Sequence, residues 1–216
     1  MWAIVPLKSP ESAKSRLRGV LDDDLRRSLF FAMGAHVVRT LRTTAGIDGV
    51  SVTTSSAEVA RMAATLGAQV DMQRDDGGTA QACLHALARL DPAMRSVLMI
   101  SGDLPLLSPD ALQPLVALSL AAPVVAAVPD RHRRGTNALL CAPPRLIEPA
   151  FGVDSFRRHG ELAKACGVEL RSVTCTQIAL DIDTADDLEA LRGQAAGTGL
   201  SSELRALFER VPELQL

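Results

Sequence analysis

The amino-acid sequence predicts an α/β fold, a three-layer α/β/α sandwich built on a mixed sheet that is mainly parallel. Short apolar runs alternate with amphipathic stretches along most of the 216 residues, which is typical of a sheet with helices on both faces. The run from Val97 to Ile100 is apolar throughout and stops at Gly102-Asp103, as a parallel strand covered on both faces does. The length suits one well-filled domain and is short for two.

Composition limits the classes of partner. Hydrophobic residues make up 47% and charged residues 22%, which is ordinary for a globular protein. A formal net charge of −2 provides neither a basic surface for nucleic acid nor an anchor for a membrane. No apolar run approaches the roughly 20 residues of a membrane span, and the first residues lack a secretory signal. The cysteines are scattered, without the pairing of a zinc site or a disulfide framework. We expect a cytoplasmic protein whose partners are small molecules.

The first half of the chain has a βαβαβ pattern. An apolar run over 2–7 predicts the first strand. Apolar residues recur every four positions from Asp22 to Thr43 and predict a long helix, whose leading acids favour the positive end of its dipole. The elements that follow are predicted at 49–54 (strand), 57–66 (helix), 68–72 (strand) and 81–90 (helix). Such alternation implies right-handed crossovers between parallel strands.

The second half continues the alternation after the strand at 97–100. Ser108 followed by proline predicts a helix start, with the hydroxyl as cap. Further elements are predicted at 122–128 (strand), 135–140 (strand), 155–167 (helix), 168–173 (strand), 178–184 (strand) and 185–192 (helix), with one more helix over 201–211. We therefore assign residues 1–192 to a single domain and 193–216 to a glycine-rich linker and helical tail, which packs either on the domain or on a second subunit.

Two loops at the carboxyl edge of the predicted sheet are suited to phosphates. Lys8, Lys14, Arg16 and Arg18 follow the first strand directly, where their charges and the loop amides could hold a triphosphate. A solvated basic loop is the alternative. The glycines of the loop over 75–81 allow a backbone to approach a ligand closely, and they equally suit a bare turn.

Three acids predict a metal site. Asp103 follows the central strand, at the edge where open α/β sheets bind ligands, and an acid there suits a hard divalent cation; the alternative is that it caps the next helix. Asp181 and Asp183 lie two apart in a predicted strand, so their side chains would share one face. Because burying two acids without a cation costs several kcal/mol or forces protonation, a metal-binding role is favoured.

Two further stretches favour an anion. The cations of 129–134 precede Gly135-Thr136-Asn137 at a strand start, which suits a second anion or, alternatively, an exposed β-turn. Gly152 and Ser155 lie at the amino end of a predicted helix, where free amides and a hydroxyl bind phosphate or carboxylate. Ser155 as a plain N-cap is the alternative, and the two roles are compatible.

The order of these motifs resembles the nucleotidyltransferase branch of the glycosyltransferase-A type fold. Within that branch, the chain most resembles the 2-phospho-L-lactate guanylyltransferase family of coenzyme F(420) biosynthesis, which includes phosphoenolpyruvate and 3-phosphoglycerate-using members. The motifs that carry the resemblance, between residues 4 and 192, are Val5-Pro-Leu-Lys8, Ala13-Lys-Ser-Arg-Leu17, Gly102-Asp-Leu-Pro-Leu-Leu107, Asp130-Arg-His with Gly135-Thr-Asn-Ala-Leu-Leu140, Phe151-Gly-Val-Asp-Ser155, Arg158-His159 and Leu180-Asp-Ile-Asp-Thr184.

The resemblance implies roles for individual residues. The family places Mg²⁺ on acids that match Asp103 and Asp181, with Asp183 alongside, and holds its phosphorylated acid with residues that match Thr136, Gly152 and Ser155. We add Asn137 to the substrate contacts. The residues expected to contact the nucleotide are Lys8, Lys14, Gly78, Thr79 and Gly102, and those expected to act in catalysis are Lys8, Lys14, Arg16 and Asp103. The loop Gly77-Gly-Thr-Ala-Gln81 departs from the family, which usually has an Asn there.

The resemblance also implies a reaction. The phosphate of a three-carbon phospho-acid would attack the α-phosphorus of GTP in line and release pyrophosphate, with Mg²⁺ and the cationic loop neutralising charge. A homodimer is possible in this family. The first alternative is a molybdenum-cofactor or sugar-phosphate nucleotidyltransferase, but those relatives have a Gly-Gly loop where this chain reads Pro6-Leu-Lys-Ser9. The second is a catalytically silent nucleotide-binding module, which would be free to lose the acids and Lys14 that this chain retains.

Overall fold

A computed structural model describes residues 1–11, 14–75, 77–195 and 200–210 of the chain. The strands are β1 (Trp2–Pro6), β2 (Gly49–Thr54), β3 (Gln69–Met72), β4 (Val97–Ile100), β5 (Val124–Pro129), β6 (Thr136–Ala142) and β7 (Leu170–Ser172). The helices are α1 (Asp23–Thr43), α2 (Ala57–Thr65), α3 (Thr79–Arg89), α4 (Pro109–Leu118), α5 (Ser155–Ala165), α6 (Thr176–Ala179), α7 (Ala185–Ala195) and α8 (Ser202–Arg210), with a 3₁₀ turn at Ser15–Leu17. Ala13, part of one family motif, the linker residues 196–199 and the end of the tail lie outside the described residues.

The described strands form one seven-stranded sheet in the order β3-β2-β1-β4-β6-β5-β7. All neighbouring pairs are parallel except those made by β6, which runs antiparallel to β4 and to β5. The exception follows from the chain path, since β5 and β6 are joined by a short turn, and a short turn can connect only antiparallel neighbours. The predicted mixed, mainly parallel sheet is therefore confirmed.

The sheet is buried on both faces. Leu98 and Met99 are neighbours in β4, and they point into two separate apolar clusters. Helices α1, α2 and α4 cover one face, and helices α3 and α5 cover the other. The three layers match the predicted sandwich. They explain why β4 and β5 are apolar throughout and why all residues of β4, β5 and β6 are buried.

A third apolar cluster joins the tail to the domain. Leu204 and Phe208 of α8 are buried against Leu29 and Met33 of α1, together with Leu191 of α7. Arg39 of α1 adds an exposed ion pair with Glu203 at 2.5 Å. Of the two packing partners that the sequence left open, the structure shows helix α8 on the domain.

The predicted strand over 178–184 is wrong. Thr176–Ala179 forms the short helix α6, and no strand is present over 180–184. The backbone groups of this stretch pair with side chains, because Asn137 binds the carbonyls of Ile178 and Ala179 and Asp187 accepts the amides that follow. The alternating pattern that indicated a strand arises because Leu180 and Ile182 are buried in the third cluster.

The secondary structure places three chain segments at one edge of the sheet. Strands β1 and β4 end there, and β6 begins there, since the amide of Ser101 donates to the carbonyl of Asn137 at 2.8 Å. The residues after Pro6, after Ile100 and around Thr136 therefore face the same crevice, as ligand-binding residues do in open α/β sheets.

None of the described helices is long and apolar enough to cross a membrane.

Candidate active site

A cleft of about 720 Å³ opens at this edge of the sheet. The predicted site residues that line it are Lys8, Lys14, Arg16, Thr79, Gly102, Asp103, Thr136, Asn137, Gly152, Ser155, Asp181 and Asp183. Gly78 is not among the lining residues; it precedes Thr79 at the start of α3, with φ +91°. The structure thus brings residues from six separate stretches of the chain into one cavity.

Three carboxylates meet at the centre of the cleft. Oxygens of Asp103, Asp181 and Asp183 lie within 4.8 Å of one another. Although 180–184 is not a strand, the loop still directs both of its acids to the same point, because the amide of Ile182 bonds to the carbonyl of Asp103 at 3.3 Å. Asp103 does not cap α4, since the hydroxyl of Ser108 accepts the amide of Ala111 at 3.2 Å.

The carboxylate cluster fits a divalent cation. Oδ1 of Asp103 is buried and has no hydrogen-bond partner among the described residues. A buried carboxylate oxygen without a partner is costly, and a bound cation would remove that cost. Converging carboxylate oxygens are also the ligands that Mg²⁺ prefers. The residues present therefore suit the metal that the sequence predicted.

Lys14 partly neutralises these acids. Its side chain is 5% exposed, and its Nζ donates to Oδ2 of Asp103 and, at 3.0 Å, to Oδ1 of Asp183. Burial alone would lower the pKa of Lys14, but the two carboxylates raise it above its usual value, so the amine stays charged. Lys14 adopts the left-handed conformation, with φ 55°, where the loop turns back toward the acids.

The acid cluster remains net negative despite Lys14. Burial, and then the charge of Asp103, raise the pKa of Asp181 well above that of an ordinary aspartate, while a hydrogen bond from Asn137 opposes the rise. One ammonium faces three carboxyl groups, and a divalent cation would restore the balance.

Asn137 binds one acid of the carboxylate cluster and the backbone beside it. Its Nδ2 bonds to Oδ1 of Asp181 at 3.0 Å and to the carbonyls of Ile178 at 2.9 Å and Ala179 at 3.2 Å. Asn137 was predicted to contact substrate, yet the hydrogens of its side-chain amide are directed to protein acceptors. The contacts assign Asn137 to holding the Asp181 loop in place.

Asp187 anchors the other end of this loop. Its carboxylate accepts the amides of Asp183 at 3.0 Å and Thr184 at 2.8 Å, and Nε of Arg131 at 2.8 Å. Burial would raise the pKa of Asp187, but the Thr184 hydroxyl and these other donors lower it. The loop that carries two of the three acids is therefore tied to protein at both ends.

Two hydroxyls form a separate polar patch in the same cleft. Oγ of Ser155 donates to Oγ1 of Thr136 at 3.1 Å, and both residues are buried. Ser155 is the first residue of α5 rather than its N-cap, which is Asp154, so the N-cap prediction is wrong. Gly152, three residues before Ser155, has φ +117°, a conformation that favours glycine.

Several lining residues were not singled out in the sequence. Arg134 comes from the basic turn, where the carboxylate of Asp130 accepts the amides of Arg134 and Gly135, each at 2.9 Å. The other two arginines of this turn make different contacts: Arg131 binds Asp187, and Arg133 lies over the ring of Phe156. The run of cations signalled an anion site, but only the fold shows which of them lines the cleft.

Gly102 has a steric reason to be glycine. A Cβ atom at this position would lie 2.3 Å from Cδ2 of Leu7, which is buried beside it. Ser101, Gly102 and Asp103 all line the cleft.

Comparisons with known proteins show which proteins the chain resembles. The family model described as "Guanylyl transferase CofC like" matches residues 1–208. A phosphoenolpyruvate guanylyltransferase of Conexibacter woesei is 39% identical over 193 residues, covering 88% of this chain and 86% of that protein. One from Sphaerobacter thermophilus is 39% identical over 207 residues, covering 93% and 96%. A crystal structure from Desulfovibrio desulfuricans, described as a nucleotide-diphospho-sugar transferase, superposes with a TM-score of 0.77 at 17% identity, over 97% of this chain and 94% of that one.

Proposed function

The chain belongs to the family of CofC-like guanylyl transferases, and on that premise we propose that it joins GMP from GTP to phosphoenolpyruvate and releases pyrophosphate. It is a nucleotidyltransferase with the glycosyltransferase-A type of fold. The observation that carries the proposal is the cluster of Asp103, Asp181 and Asp183, which shares one cleft with the hydroxyls of Thr136 and Ser155. The carboxylate cluster suits the metal–triphosphate, and the two hydroxyls suit the phospho-acid.

The choice of acceptor rests on the relatives. The similar proteins from Conexibacter woesei and Sphaerobacter thermophilus are both named for phosphoenolpyruvate. 2-Phospho-L-lactate and 3-phospho-D-glycerate are the alternatives, and they differ from it by a double bond or by the position of the phosphate. With any of the three acids, the product would be a diphosphate diester that enters coenzyme F(420) biosynthesis.

The reaction needs positioning and charge neutralisation more than acid–base chemistry. A phosphate oxygen of the acceptor forms a bond to the α-phosphorus of GTP, while the bond from that phosphorus to the bridging oxygen breaks. Pyrophosphate leaves with the bonding electrons. Because an ionised phosphate is already a nucleophile, no general base is required. Holding the two substrates in line can supply a large part of the rate enhancement.

The residues of the cleft divide this work. Asp103, Asp181 and Asp183 would hold Mg²⁺, which when bound supplies positive charge to the triphosphate and the leaving pyrophosphate. Lys8, Arg16 and Arg134 line the cleft and add charge that binds phosphate oxygens. Thr136 and Ser155, with the backbone around Gly152, would bind the phospho-acid.

The proposal is tested by pyrophosphate release. The protein is incubated with Mg²⁺ and GTP, together with phosphoenolpyruvate, 2-phospho-L-lactate or 3-phospho-D-glycerate in turn, and ATP and CTP replace GTP in parallel. We expect release with GTP and phosphoenolpyruvate. Release with one of the other two acids instead would change the assigned acceptor. Release with CTP or ATP but not with GTP would overturn the assignment of guanylyl transfer.

A further inference from the structure

A fully buried histidine lies behind the two hydroxyls of the cleft. His159 is in the second turn of α5 and is 0% exposed. Its Nδ1 lies 3.0 Å from Oγ1 of Thr136, and its Nε2 accepts the backbone amide of Ala150 at 2.9 Å. Both ring nitrogens therefore have one partner each, on opposite sides of the ring.

The partner of Nε2 determines which nitrogen carries the proton. A backbone amide can only donate, so Nε2 must be the unprotonated, accepting nitrogen. Burial, and then the charge of Arg158, lower the pKa of His159 to about 4, so the ring is neutral at physiological pH. A neutral ring with an accepting Nε2 carries its proton on Nδ1, and Nδ1 consequently donates to the hydroxyl of Thr136.

This tautomer fixes the direction of the hydrogen bonds that follow. Thr136 Oγ1 accepts from Nδ1 of His159 and cannot donate back to it. One of the hydroxyl hydrogens of Thr136 and Ser155 is used in the bond between the two oxygens. The other hydroxyl hydrogen has no acceptor within this group of three side chains. The pair therefore has one hydrogen to donate into the cleft, which suits an anionic oxygen.

The same ring also anchors the loop that carries Gly152. Besides the bond to Ala150, the ring of Phe151 meets the imidazole edge-to-face, with 5.3 Å between ring centroids. Nη2 of Arg158 binds the carbonyls of Ala150 at 2.6 Å and Phe151 at 3.2 Å. His159 thus connects the hydroxyl pair to the backbone of the loop that carries Gly152.

We propose that His159 is a positioning residue for the acceptor substrate, which holds the Thr136–Ser155 pair as a hydrogen-bond donor toward an oxygen of the phospho-acid. The inference rests on the proposed function for the identity of that acid. It assigns no contact between His159 and substrate, since the imidazole acts through Thr136. It also predicts that the site selects acceptors whose contacted oxygen is ionised. The hydroxyl pair donates a hydrogen bond, and an oxygen that carries its own hydrogen is a poorer acceptor for that bond than an ionised one.

Two amide substitutions separate the two bonds of the ring. In His159→Asn the side-chain amide nitrogen can take the place of Nδ1 and donate to Thr136, while Ala150 loses its acceptor. In His159→Gln the side-chain oxygen can take the place of Nε2 and accept from Ala150, while Thr136 loses its donor. We expect His159→Gln to raise the KM for the phospho-acid about tenfold or more, the effect of a lost bond to a charged group, with the KM for GTP unchanged. His159→Asn should raise it less.

A second comparison shows whether the effect passes through the Thr136 hydroxyl. In a Thr136→Val background, His159→Gln should add little to the KM for the phospho-acid, because the hydroxyl that it positions is gone. Equal effects of Asn and Gln at position 159, an equal rise in the KM for GTP, or full additivity with Thr136→Val would each overturn the proposal.

The tautomer of His159 can be determined by NMR on the wild-type protein without substrate. Long-range ¹H–¹⁵N correlation spectra of the ¹⁵N-labelled protein at neutral pH should show a histidine ring with a protonated Nδ1 and an unprotonated Nε2, in contact with the Thr136 methyl group. The opposite tautomer at His159, or a charged ring, would contradict the proposal even if the variants fail to fold. A wild-type protein that shows this tautomer but turns over none of the phospho-acids would contradict the proposed function instead.

Discussion

At the scale of single residues, the charges at the centre of the cleft decide the chemistry. Asp103, Asp181 and Asp183 face one ammonium, that of Lys14, in a partly buried site where charges interact more strongly than in water. Lys14 satisfies one oxygen of Asp103 and leaves the other without a partner among the described residues. The free protein therefore has a partly neutralised site with room for more positive charge.

The first prediction concerns Asp103. Asp103→Asn removes one negative charge and one anionic ligand, so we expect kcat to fall by roughly 100-fold or more at saturating Mg²⁺, as happens when a preorganised electrostatic group is lost. Pyrophosphate release measures it. Asp110→Asn, at an exposed position in the first turn of α4, is the matched control and should retain activity. Full turnover by Asp103→Asn would contradict the assignment of this acid.

The second prediction separates Lys14 from the acids. Lys14→Gln retains hydrogen bonding to the carboxylates but removes the charge that competes with a cation. We expect Mn²⁺, used as a spectroscopic substitute for Mg²⁺, to bind the free protein at least about tenfold more tightly, while turnover falls because the phosphates lose a positive neighbour. Electron paramagnetic resonance of free Mn²⁺ measures the affinity. Weaker Mn²⁺ binding would show that Lys14 does not compete for this site.

The third prediction concerns pH and follows from His159. Its pKa is lowered to about 4 in the folded protein, against 6.5 for an ordinary histidine. Below pH 6.5 the unfolded chain therefore takes up a proton that the folded protein refuses until about pH 4. The contribution of His159 to the free energy of unfolding should rise with pH across this window, by up to about 3 kcal/mol, and level off above it.

Denaturant unfolding at a series of pH values measures this dependence. The lowered pKa of His36, caused mainly by burial, contributes in the same direction, whereas the pKa values of Asp181 and Asp71, which burial raises, contribute in the opposite direction. The contribution of His159 is therefore obtained as the difference between the wild type and a His159 variant. His159→Asn should reduce the slope, whereas His132→Asn, in the exposed turn between β5 and β6, is the control that should not. Equal slopes for the wild type and His159→Asn between pH 4 and pH 6.5 would show that the imidazole of His159 is not held neutral.

At the scale of elements, the structure shows what periodicity can and cannot predict. The alternation over 178–184 indicated a strand because Leu180 and Ile182 are buried, yet their burial comes from packing on α7 and α8 rather than from a sheet. The deciding contacts come from Asn137, more than forty positions earlier in the chain, and from Asp187. Local patterns carry no information on such distant partners.

The reason for expecting Asp181 and Asp183 to lie together nevertheless holds, although the segment that carries them is not a strand. Spacing by two places Asp181 and Asp183 on one side of any extended backbone, whether or not it pairs in a sheet. The intervening Ile182 is buried on the opposite side. The convergence of the acids therefore follows from local geometry. Whether the segment is a strand or a loop does not follow from it.

The fourth prediction concerns helix α8. Leu204 is 0% exposed and packs in the cluster that also holds Leu29 and Leu191, so Leu204→Ala should lower the free energy of unfolding by about 2–4 kcal/mol. Glu209→Ala, at an exposed position of the same helix, is the control. Chemical denaturation measures both variants. Equal stability of Leu204→Ala and the wild type would show that α8 is not part of the cooperative unit.

At the scale of the whole molecule, the sheet and its covering helices were predictable because their determinants are mostly local. Apolar runs give the buried strands, amphipathic repeats give the covering helices, and short turns decide where a strand reverses. The strand ends then place Lys8, Asp103 and Thr136 at one edge of the sheet, which is why residues far apart in sequence could be assigned to one cleft.

The parts of the site that escaped prediction are those that depend on packing in three dimensions. His159 reads in sequence as one histidine beside two arginines on a helix, and only the fold brings it to Thr136. Similarly, Arg134 lines the cleft while Arg131 and Arg133 do not, although the three are nearly adjacent. Burial and contact, rather than residue type, distinguish these residues.

The most direct test of the account is the identity of the product. Pyrophosphate release alone does not distinguish transfer of GMP to the acid from hydrolysis of GTP. The protein should be incubated with Mg²⁺, GTP and phosphoenolpyruvate and the mixture followed by ³¹P NMR and mass spectrometry. We predict two coupled phosphorus signals of a new diphosphate diester with the mass of GMP joined to phosphoenolpyruvate, absent with Asp103→Asn. GMP and pyrophosphate without that diester would contradict the account.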